Sequence, residues 1–402
     1  MKPNKTVSLA LISQAILISF GLINLVLNTK FLSEKDLGLY YSLAVLAIIK
    51  ELLNGGVLAT YISLLVKQKG VDDINFKKYF RYITNFFLCL APFVIIISFS
   101  YITILLKDTD LLITILFPIT LGLEVLTIWF FPTLEGLGKL NRLYLLRTII
   151  AFISYLSAWF MLYTTKSVLN LVCFLFLTSF LKAIFAFYFF NKHFKFGISY
   201  LKQPKEFVVI AKKVSIIHYT HLIHKISIYP IINFNFGLEV SGVFGVANSI
   251  FSSASSLSRE LIRKNLKKYG QLSLESSKIM FKSFRKDFAV ANVLYIISLV
   301  FAVLLITVFP EIINVKGLYS IILLTFGYHF SYFNFSQITH LHRINLKEPM
   351  SLWSVNYCIL TFITLFIKDE MIFFGSLSLL TFIFLLLPTV YYTRNYNNIN
   401  NK

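Results

Sequence analysis

The length of its uncharged runs constrains the fold of this chain more than any other feature. From Thr6 to Thr29 no residue carries a charge, so the run between Lys5 and Lys30 is 24 residues long. An α-helix rises about 1.5 Å per residue, and about 20 apolar residues cross the hydrocarbon core of a bilayer. Because lipid offers no partners for open backbone groups, such a run predicts a membrane-spanning helix. It is too long for the apolar part of a signal peptide.

The same rule predicts about twelve spans and an all-α polytopic membrane protein. Hydrophobic residues make up 57% of the sequence, with 42 Phe and 22 Tyr, which is more than one water-soluble core absorbs. The predicted spans are residues 7–28, 37–66, 82–106, 111–134, 143–164, 168–190, 210–233, 240–261, 288–309, 318–340, 350–367 and 371–392.

The distribution of Lys and Arg predicts the orientation of these spans. With the N-terminus in the cytoplasm, the cytoplasmic connections hold 29 of the 38 Lys and Arg, and the outer connections hold six. Positive residues are retained on the cytoplasmic side, so we expect both termini there. Membrane orientation thus accounts for the net charge of +20, and no nucleic-acid partner is expected.

A weak internal repeat predicts two halves. Residues 34–40 open the second span and residues 238–244 open the eighth, and six spans separate their glycines, Gly38 and Gly242. Because an even number of spans separates the two repeats, both halves have the same orientation in the membrane. This predicts two parallel six-helix bundles, residues 1–200 and 201–402. The alternative is that an acidic residue, a glycine and an aromatic residue simply make a good helix start.

Ionisable side chains inside the predicted spans are the first candidates for function. Each costs several kcal/mol at mid-bilayer unless it has a partner, a water-filled cavity or a role. The set is Lys50, Glu51, Glu124, Lys182, His218, His221, Lys225 and Arg259. His218, His221 and Lys225 share one helix face. Lys50 could instead pair locally with Glu51, and the ammonium of Lys182 could reach the cytoplasmic surface.

Two uncharged polar stripes are the second group of candidates. Gln14, Gly21, Asn24 and Asn28 recur on one face of the first span, and Asn248 begins a similar stripe of Ser252, Ser255 and Arg259 in the eighth. Asn54 lies one turn after Lys50. Such stripes mark faces that avoid lipid, and they are explained either by helix packing or by a cavity. If the stripes converge, they line a wet and positively charged cavity.

Signatures of enzymes and metal sites are absent from the sequence. It contains no phosphate-binding glycine-rich loop, no Gly-x-Ser-x-Gly and no His-Glu-x-x-His. The three cysteines lie far apart in apolar runs, and no Cys or carboxylate accompanies the histidines of the seventh span at ligand spacing. We therefore expect a transporter rather than an enzyme, with no cofactor and no metal.

Three segments resemble the polysaccharide exporter family. Residues 28–41, NTKFLSEKDLGLYY, are similar to the first outer turn and second-helix start of that family. Residues 133–147, TLEGLGKLNRLYLLR, are similar to its connection after the fourth helix, and residues 232–248 to its second-half repeat. The whole topology resembles Wzx-type O-antigen and capsule flippases of the multidrug/oligosaccharidyl-lipid/polysaccharide (MOP) superfamily, which are related to multidrug and toxin extrusion transporters.

This resemblance implies a flippase in the bacterial inner membrane. Its cargo would be an oligosaccharide on undecaprenyl pyrophosphate, carried between two bundles by alternating access, with an ion gradient as the driving force. The polysaccharide polymerase, the chain-length regulator and membrane lipids are the further partners it implies. Cations at Lys50, Lys182, Lys225 and Arg259 would bind pyrophosphate or acidic sugars, and His218 and His221 would be polar or proton-responsive groups of the cargo site. The amides of Gln14, Asn24, Asn54 and Asn248 would contact sugar hydroxyls, and Glu124 and Glu51 would couple ions.

Two other functions remain open. A multidrug or small-molecule exporter of the same fold would need an acidic lining for cationic cargo, whereas Glu51 and Glu124 are the acids near the middle of the predicted spans. A polymerase or acyltransferase of polysaccharide assembly would typically carry a long outer loop, and the predicted outer connections are short.

Overall fold

The structure is a computed structural model that describes residues 5–47, 57–65, 74–106, 109–201, 204, 227–256, 258, 277–308, 315–344 and 363–386. Nearly all of these residues are helical. The helices up to residue 190 are α1 (Lys5–Phe31), α2 (Glu34–Leu46), α3 (Val57–Leu65), α4 (Ile74–Leu105), α5 (Leu111–Thr127), α6 (Phe130–Gly136), α7 (Leu140–Thr165) and α8 (Leu169–Phe190).

Short 3₁₀ turns at Asn191–His193 and Ile198–Leu201 follow α8. Beyond them the structure has a helical stretch, 227–256, in which Gly237 adopts a left-handed φ of 89°. The later helices are α9 (Ser277–Val308), α10 (Leu318–Ile344) and α11 (Glu370–Thr381), and a π-helical turn, Phe382–Leu386, continues α11.

Six helices of the described part are long and apolar enough to cross a membrane. They are Ile12–Phe31, Ile74–Ile104, Leu111–Gly136, Leu140–Thr165, Leu169–His193 and Lys282–Leu304. These segments overlap the first, third, fourth, fifth, sixth and ninth predicted spans, so the helical membrane fold is confirmed for them. The total of twelve spans and the cytoplasmic termini stay predictions.

Local sequence signals explain where several helices begin and end. Ser33 caps α2, because the backbone N–H of Asp36 donates to the Ser33 hydroxyl at 3.1 Å, so the helix starts at Glu34. The carboxylate of Asp110 accepts from the backbone N–H of Leu112 at 2.8 Å and caps α5. Helix α7 ends where Lys166 takes a left-handed φ of 48°.

The described residues divide into two compact units. The first comprises Met1–Leu32 and Leu39–Leu222, and the second comprises Ser33–Gly38 and Ile223–Lys402. The first turn of α2 thus groups with the second unit, while the rest of that helix belongs to the first. The assignment of six helices to each of residues 1–200 and 201–402 stays a prediction.

The first unit is held together by contacts of α4 with α5, of α5 with α8, of α8 with α7 and of α7 with α1. Its core near the end of α8 is aromatic, and Phe80 packs on Trp129 and Phe190 with ring centroids 5.1 and 5.4 Å away. One face of α7 instead exposes large apolar side chains, among them Leu145, Leu156, Phe160 and Tyr163. Such a face is suited to lipid.

Two glycines bring backbones into direct contact in the second unit. A Cβ atom on Gly38 would overlap the carbonyl oxygen of Leu238. A Cβ atom on Gly242 would lie 2.6 Å from the carbonyl oxygen of Glu34 and 2.9 Å from the nitrogen of Gly38. The two glycines of the sequence repeat therefore pack against each other, which small residues allow between membrane helices.

We expect Gly38→Ala and Gly242→Ala to destabilise the protein by about 1–3 kcal/mol each, because the added methyl group meets backbone atoms that must move. The measurement is the thermal unfolding midpoint of the purified protein in detergent. Gly375→Ala is the matched control, since a Cβ there meets no atom within 4 Å. Equal midpoints for all three variants would contradict the close packing.

Candidate functional site

Three side chains of the first unit form a hydrogen-bonded cluster around Asn24. The indole N–H of Trp159, on α7, donates to the Oδ1 atom of Asn24 at 3.2 Å. The Nδ2 atom of Asn24 donates to the hydroxyl of Tyr40, on α2, at 3.2 Å. One amide of α1 thus joins three helices through polar contacts.

Aromatic rings surround this amide. Phe20, one turn before Asn24 on α1, lies 5.7 Å from the ring of Tyr155 and 5.8 Å from that of Trp159. Tyr155 also packs on Phe174 of α8 with a centroid distance of 4.6 Å. Asn24, Tyr40, Tyr155 and Trp159 are half-buried, so part of each side chain stays accessible. We call Asn24, Tyr40, Tyr155 and Trp159 the amide–aromatic cluster.

The polar stripe of α1 lies on the side away from the exposed Ile12 and Ile23, as a face that avoids lipid should. Gln14 is half-buried on this face. A Cβ atom built on Gly21, on the same face, would meet no atom within 4 Å. The stripe therefore borders open space at Gly21 rather than a packed helix.

A buried amide pair lies one turn beyond Asn24. Asn170 of α8 donates through its Nδ2 atom to the Oδ1 atom of Asn28 at 2.9 Å, and each side chain is 1% exposed. Among the described residues, the Oδ1 atom of Asn170 has no hydrogen-bond partner, and the side chain of Asn28 also lies against the Tyr40 hydroxyl. An unmade hydrogen bond of a buried group costs about 1–3 kcal/mol, so this pair holds α1 against α8 at some cost in stability.

Glu124 and Lys182 form an ion pair inside the first unit. The Nζ atom of Lys182, on α8, lies 4.0 Å from the Oε1 atom of Glu124, on α5. The same ammonium lies 5.5 Å from the ring centroid of Phe131. Glu124 is the one acidic side chain that is buried within the described part of the chain. The sequence suggested separate roles for Glu124 and Lys182, whereas the structure places them together.

The remaining candidates divide by where they lie. In the second unit, the Nδ2 atom of Asn248 donates to the hydroxyl of Tyr229 at 3.4 Å. Ser255, in the same predicted stripe, donates to the carbonyl of Ser252 in its own helix at 2.9 Å. The other predicted site residues lie outside the described residues; they are Lys50, Glu51, Asn54, His218, His221, Lys225 and Arg259.

Sequence reasoning overlooked several polar and aromatic residues of the spans. Tyr40, Trp159 and Asn170 form hydrogen bonds with the polar stripe of α1, and a search for Trp, Tyr and Asn inside the predicted spans would have found them. Sequence reasoning also omitted His329 of α10, whose buried ring stacks on Phe251 with centroids 4.1 Å apart. No group of three or more His, Cys, Asp or Glu in the described ranges could hold a metal ion.

Comparison with solved structures shows a transporter fold. The MATE multidrug transporter DinF-BH, solved as a ligand complex, is 14% identical, with 98% of this chain and 96% of that chain covered and a TM-score of 0.67. An inward-facing multidrug resistance MATE family transporter of the MOP superfamily is 11% identical over 97% of this chain and 99% of that one, with a TM-score of 0.61.

A third similar structure is a MOP superfamily transporter from Pyrococcus furiosus Vc1, described as having a binding pocket of reverse polarity that suggests a different function. It is 12% identical, with full coverage of both chains and a TM-score of 0.52. No protein-family model and no curated protein matches the chain. The predicted relation to MATE transporters is thus confirmed at the level of the fold, and the chain is a multi-pass membrane protein.

We expect neutralising either partner of the Glu124 and Lys182 pair to destabilise the first unit. Glu124→Gln and Lys182→Met should each cost about 3–5 kcal/mol, because each breaks an ion pair whose side chains are only 12% and 10% exposed. The exchanged double variant, Glu124→Lys with Lys182→Glu, should recover part of this loss. Thermal unfolding in detergent measures all three, and single variants as stable as the parent would rule out the pair as a structural element.

Proposed function

We propose that this chain is a flippase for undecaprenyl-pyrophosphate-linked repeat units of O-antigen or capsule. It would move them from the cytoplasmic to the periplasmic leaflet of the bacterial inner membrane. Twelve helices in two parallel six-helix bundles, with both termini in the cytoplasm, would provide alternating access around a central site. The fold shared with MATE transporters supports the transport of a bulky amphipathic cargo.

The observation that carries the proposal is the chemistry of the amide–aromatic cluster beside the open space at Gly21. Its groups are neutral amides, hydroxyls and aromatic rings, which suit a polar but uncharged cargo. The buried acid Glu124 has Lys182 as its counter-ion. This lining offers more to the hydroxyls of a glycan than to a hydrophobic cation.

The anionic end of the cargo would need cations. We propose Lys50, Lys225, Lys182 and Arg259 for pyrophosphate or acidic sugars, with His218 and His221 as polar lining, because an ammonium or guanidinium group makes charge-assisted hydrogen bonds to phosphate. Gln14, Asn54 and Asn248 would add amides for sugar hydroxyls. The prenyl tail would stay in lipid, among membrane lipids.

We propose that ion coupling acts through the contact of Glu124 with Lys182. Protonation of Glu124 would neutralise the acid beside Lys182 and so strengthen the attraction between that ammonium and the pyrophosphate. Glu51 is the second acid we propose for coupling. An ion gradient can therefore act on the same charge that holds the cargo, and the polymerase and chain-length regulator would act on the product.

The alternative function is multidrug export, which the named transporters of this fold perform according to their descriptions. The Pyrococcus furiosus transporter is described as having a pocket of reverse polarity, so the fold is compatible with more than one class of cargo. The ion-paired state of Glu124 favours an anionic or neutral cargo here. The experiment must therefore separate glycan export from drug resistance.

Deletion of the gene should strand lipid-linked repeat units on the inner leaflet and remove the surface polysaccharide, because later steps act on the periplasmic side. Lectin staining and glycosidase protection of spheroplast lipids measure the two effects. Re-expression of the chain should restore both. Unchanged surface polysaccharide together with new sensitivity to cationic dyes would instead support the multidrug exporter.

In that strain, Lys50→Ala and Lys225→Ala should each lower export at least about tenfold, since each removes a cation proposed to hold the pyrophosphate. Lys192→Ala is the matched control, because Lys192 is an exposed cation in a 3₁₀ turn and loses the same charge. Rates are compared at equal protein levels. A loss as large in the control would show that overall charge, and not the site, matters.

A further inference from the structure

We propose that the amide–aromatic cluster is a carbohydrate-contacting subsite in the first unit. Trp159, Tyr155 and Tyr40 would offer ring faces to the C–H face of one sugar residue, and Asn24 with the tyrosine hydroxyls would bond its hydroxyl groups. The inference rests on the proposed flippase function and deepens it by assigning three aromatic side chains to cargo contact.

Hydrogen-bonding capacity remains at the centre of the cluster. The amide of Asn24 has two N–H donors and an oxygen with two lone pairs, and its contacts with Tyr40 and Trp159 use one of each. One donor and one acceptor site of this half-buried amide are therefore left for a ligand in the middle of the first unit. The hydroxyl of Tyr155, on the neighbouring helix, adds a further polar group.

The aromatic rings are held at fixed positions. Tyr155 lies between Trp159, with a centroid distance of 5.8 Å, and Phe174, at 4.6 Å. The hydrogen bond to Asn24 fixes the indole of Trp159 in addition. Because these rings are ordered by their neighbours before any ligand arrives, a sugar ring packing on them loses little of its binding energy to side-chain ordering.

Room for a ligand lies next to the cluster. Gly21 precedes Asn24 by three positions on the same face of α1, and no atom lies within 4 Å of a Cβ built there. Beyond Asn24, the buried pair of Asn28 and Asn170 closes this face of α1. Open space at Gly21 and a buried amide pair thus lie on the two sides of Asn24.

The combination of aromatic rings, an amide and adjacent open space favours a carbohydrate over a prenyl chain or a hydrophobic cation. A prenyl chain or an acyl chain would leave the remaining donor and acceptor of Asn24 without hydrogen bonds, which is costly in an apolar environment. A hydrophobic cation would be attracted by the ring faces, but it would leave the same amide groups unbonded, and the buried acid of the described residues, Glu124, has Lys182 beside it. A pyranose has an apolar face and a rim of hydroxyls, which matches rings and amides together.

The test measures glycan binding directly. The water-soluble oligosaccharide released by mild acid from the lipid-linked repeat unit of the host is titrated into the full-length protein in nanodiscs. Intrinsic fluorescence is recorded for the parent and for Trp159→Phe, so that their difference isolates Trp159 from the other two tryptophans. We expect this difference signal to change saturably with added oligosaccharide. A difference signal that stays constant would overturn the contact with Trp159.

Isothermal titration calorimetry with the same oligosaccharide tests the proposed sugar contacts in three variants. Asn24→Leu removes the amide, Trp159→Leu removes the ring, and Gly21→Phe fills the open space without removing any hydrogen bond. Each should weaken binding at least about tenfold. Gly21→Ala and Phe160→Leu are the controls, since the first adds one methyl group to open space and the second alters an exposed position of α7.

The outcomes separate this inference from the proposed function. Oligosaccharide binding by Gly21→Phe and Trp159→Leu at parental affinity would overturn the subsite, even if the deletion strain strands lipid-linked units. Loss of binding in those two variants with parental thermal stability supports the subsite, even if the deletion strain exports normally. Binding of a cationic rhodamine dye with the same Trp159 signal, and no signal with the oligosaccharide, would replace the glycan with a cationic cargo.

Discussion

Lipid cannot satisfy a hydrogen bond, and this constraint organises the described structure. Every backbone group must be paired within a helix, and a polar side chain inside a span needs a partner from another helix or access to water. The first unit meets this demand in several places, three of which concern the proposed function. These are the ion pair of Glu124 with Lys182, the amide pair of Asn28 with Asn170, and the contacts of Asn24 with Trp159 and Tyr40.

These three contacts differ in the hydrogen-bonding groups that they leave for a ligand. In the ion pair, the two charges offset each other and hold α5 against α8. The amide of Asn24 uses one donor and one acceptor among the described residues and keeps another of each, and open space adjoins this face of α1 at Gly21. A membrane protein with no role for polar cargo would gain stability by replacing such groups with apolar ones. Their presence is the physical basis of the transport proposal.

Glycine has a different part in the architecture. At Gly38 and Gly242 the absence of a side chain lets two backbones touch, whereas at Gly21 it leaves a space open. Glycine therefore allows close helix packing in the second unit and leaves space beside the helix in the first. Residue type alone does not distinguish the two uses, because both glycines lie inside helices, Gly21 in α1 and Gly38 in α2.

The sequence by itself determined the helical membrane fold, because the length of an uncharged run decides whether a segment spans lipid. It also indicated the polar stripe of α1, since the spacing of Gln14, Gly21, Asn24 and Asn28 follows the helix period. Only the tertiary structure decided which polar groups meet. Glu124 and Lys182 are 58 residues apart, and Asn28 and Asn170 are 142 apart, so no local pattern connects them. Helix packing sets such distances, and it depends on the shapes of all side chains along each contact.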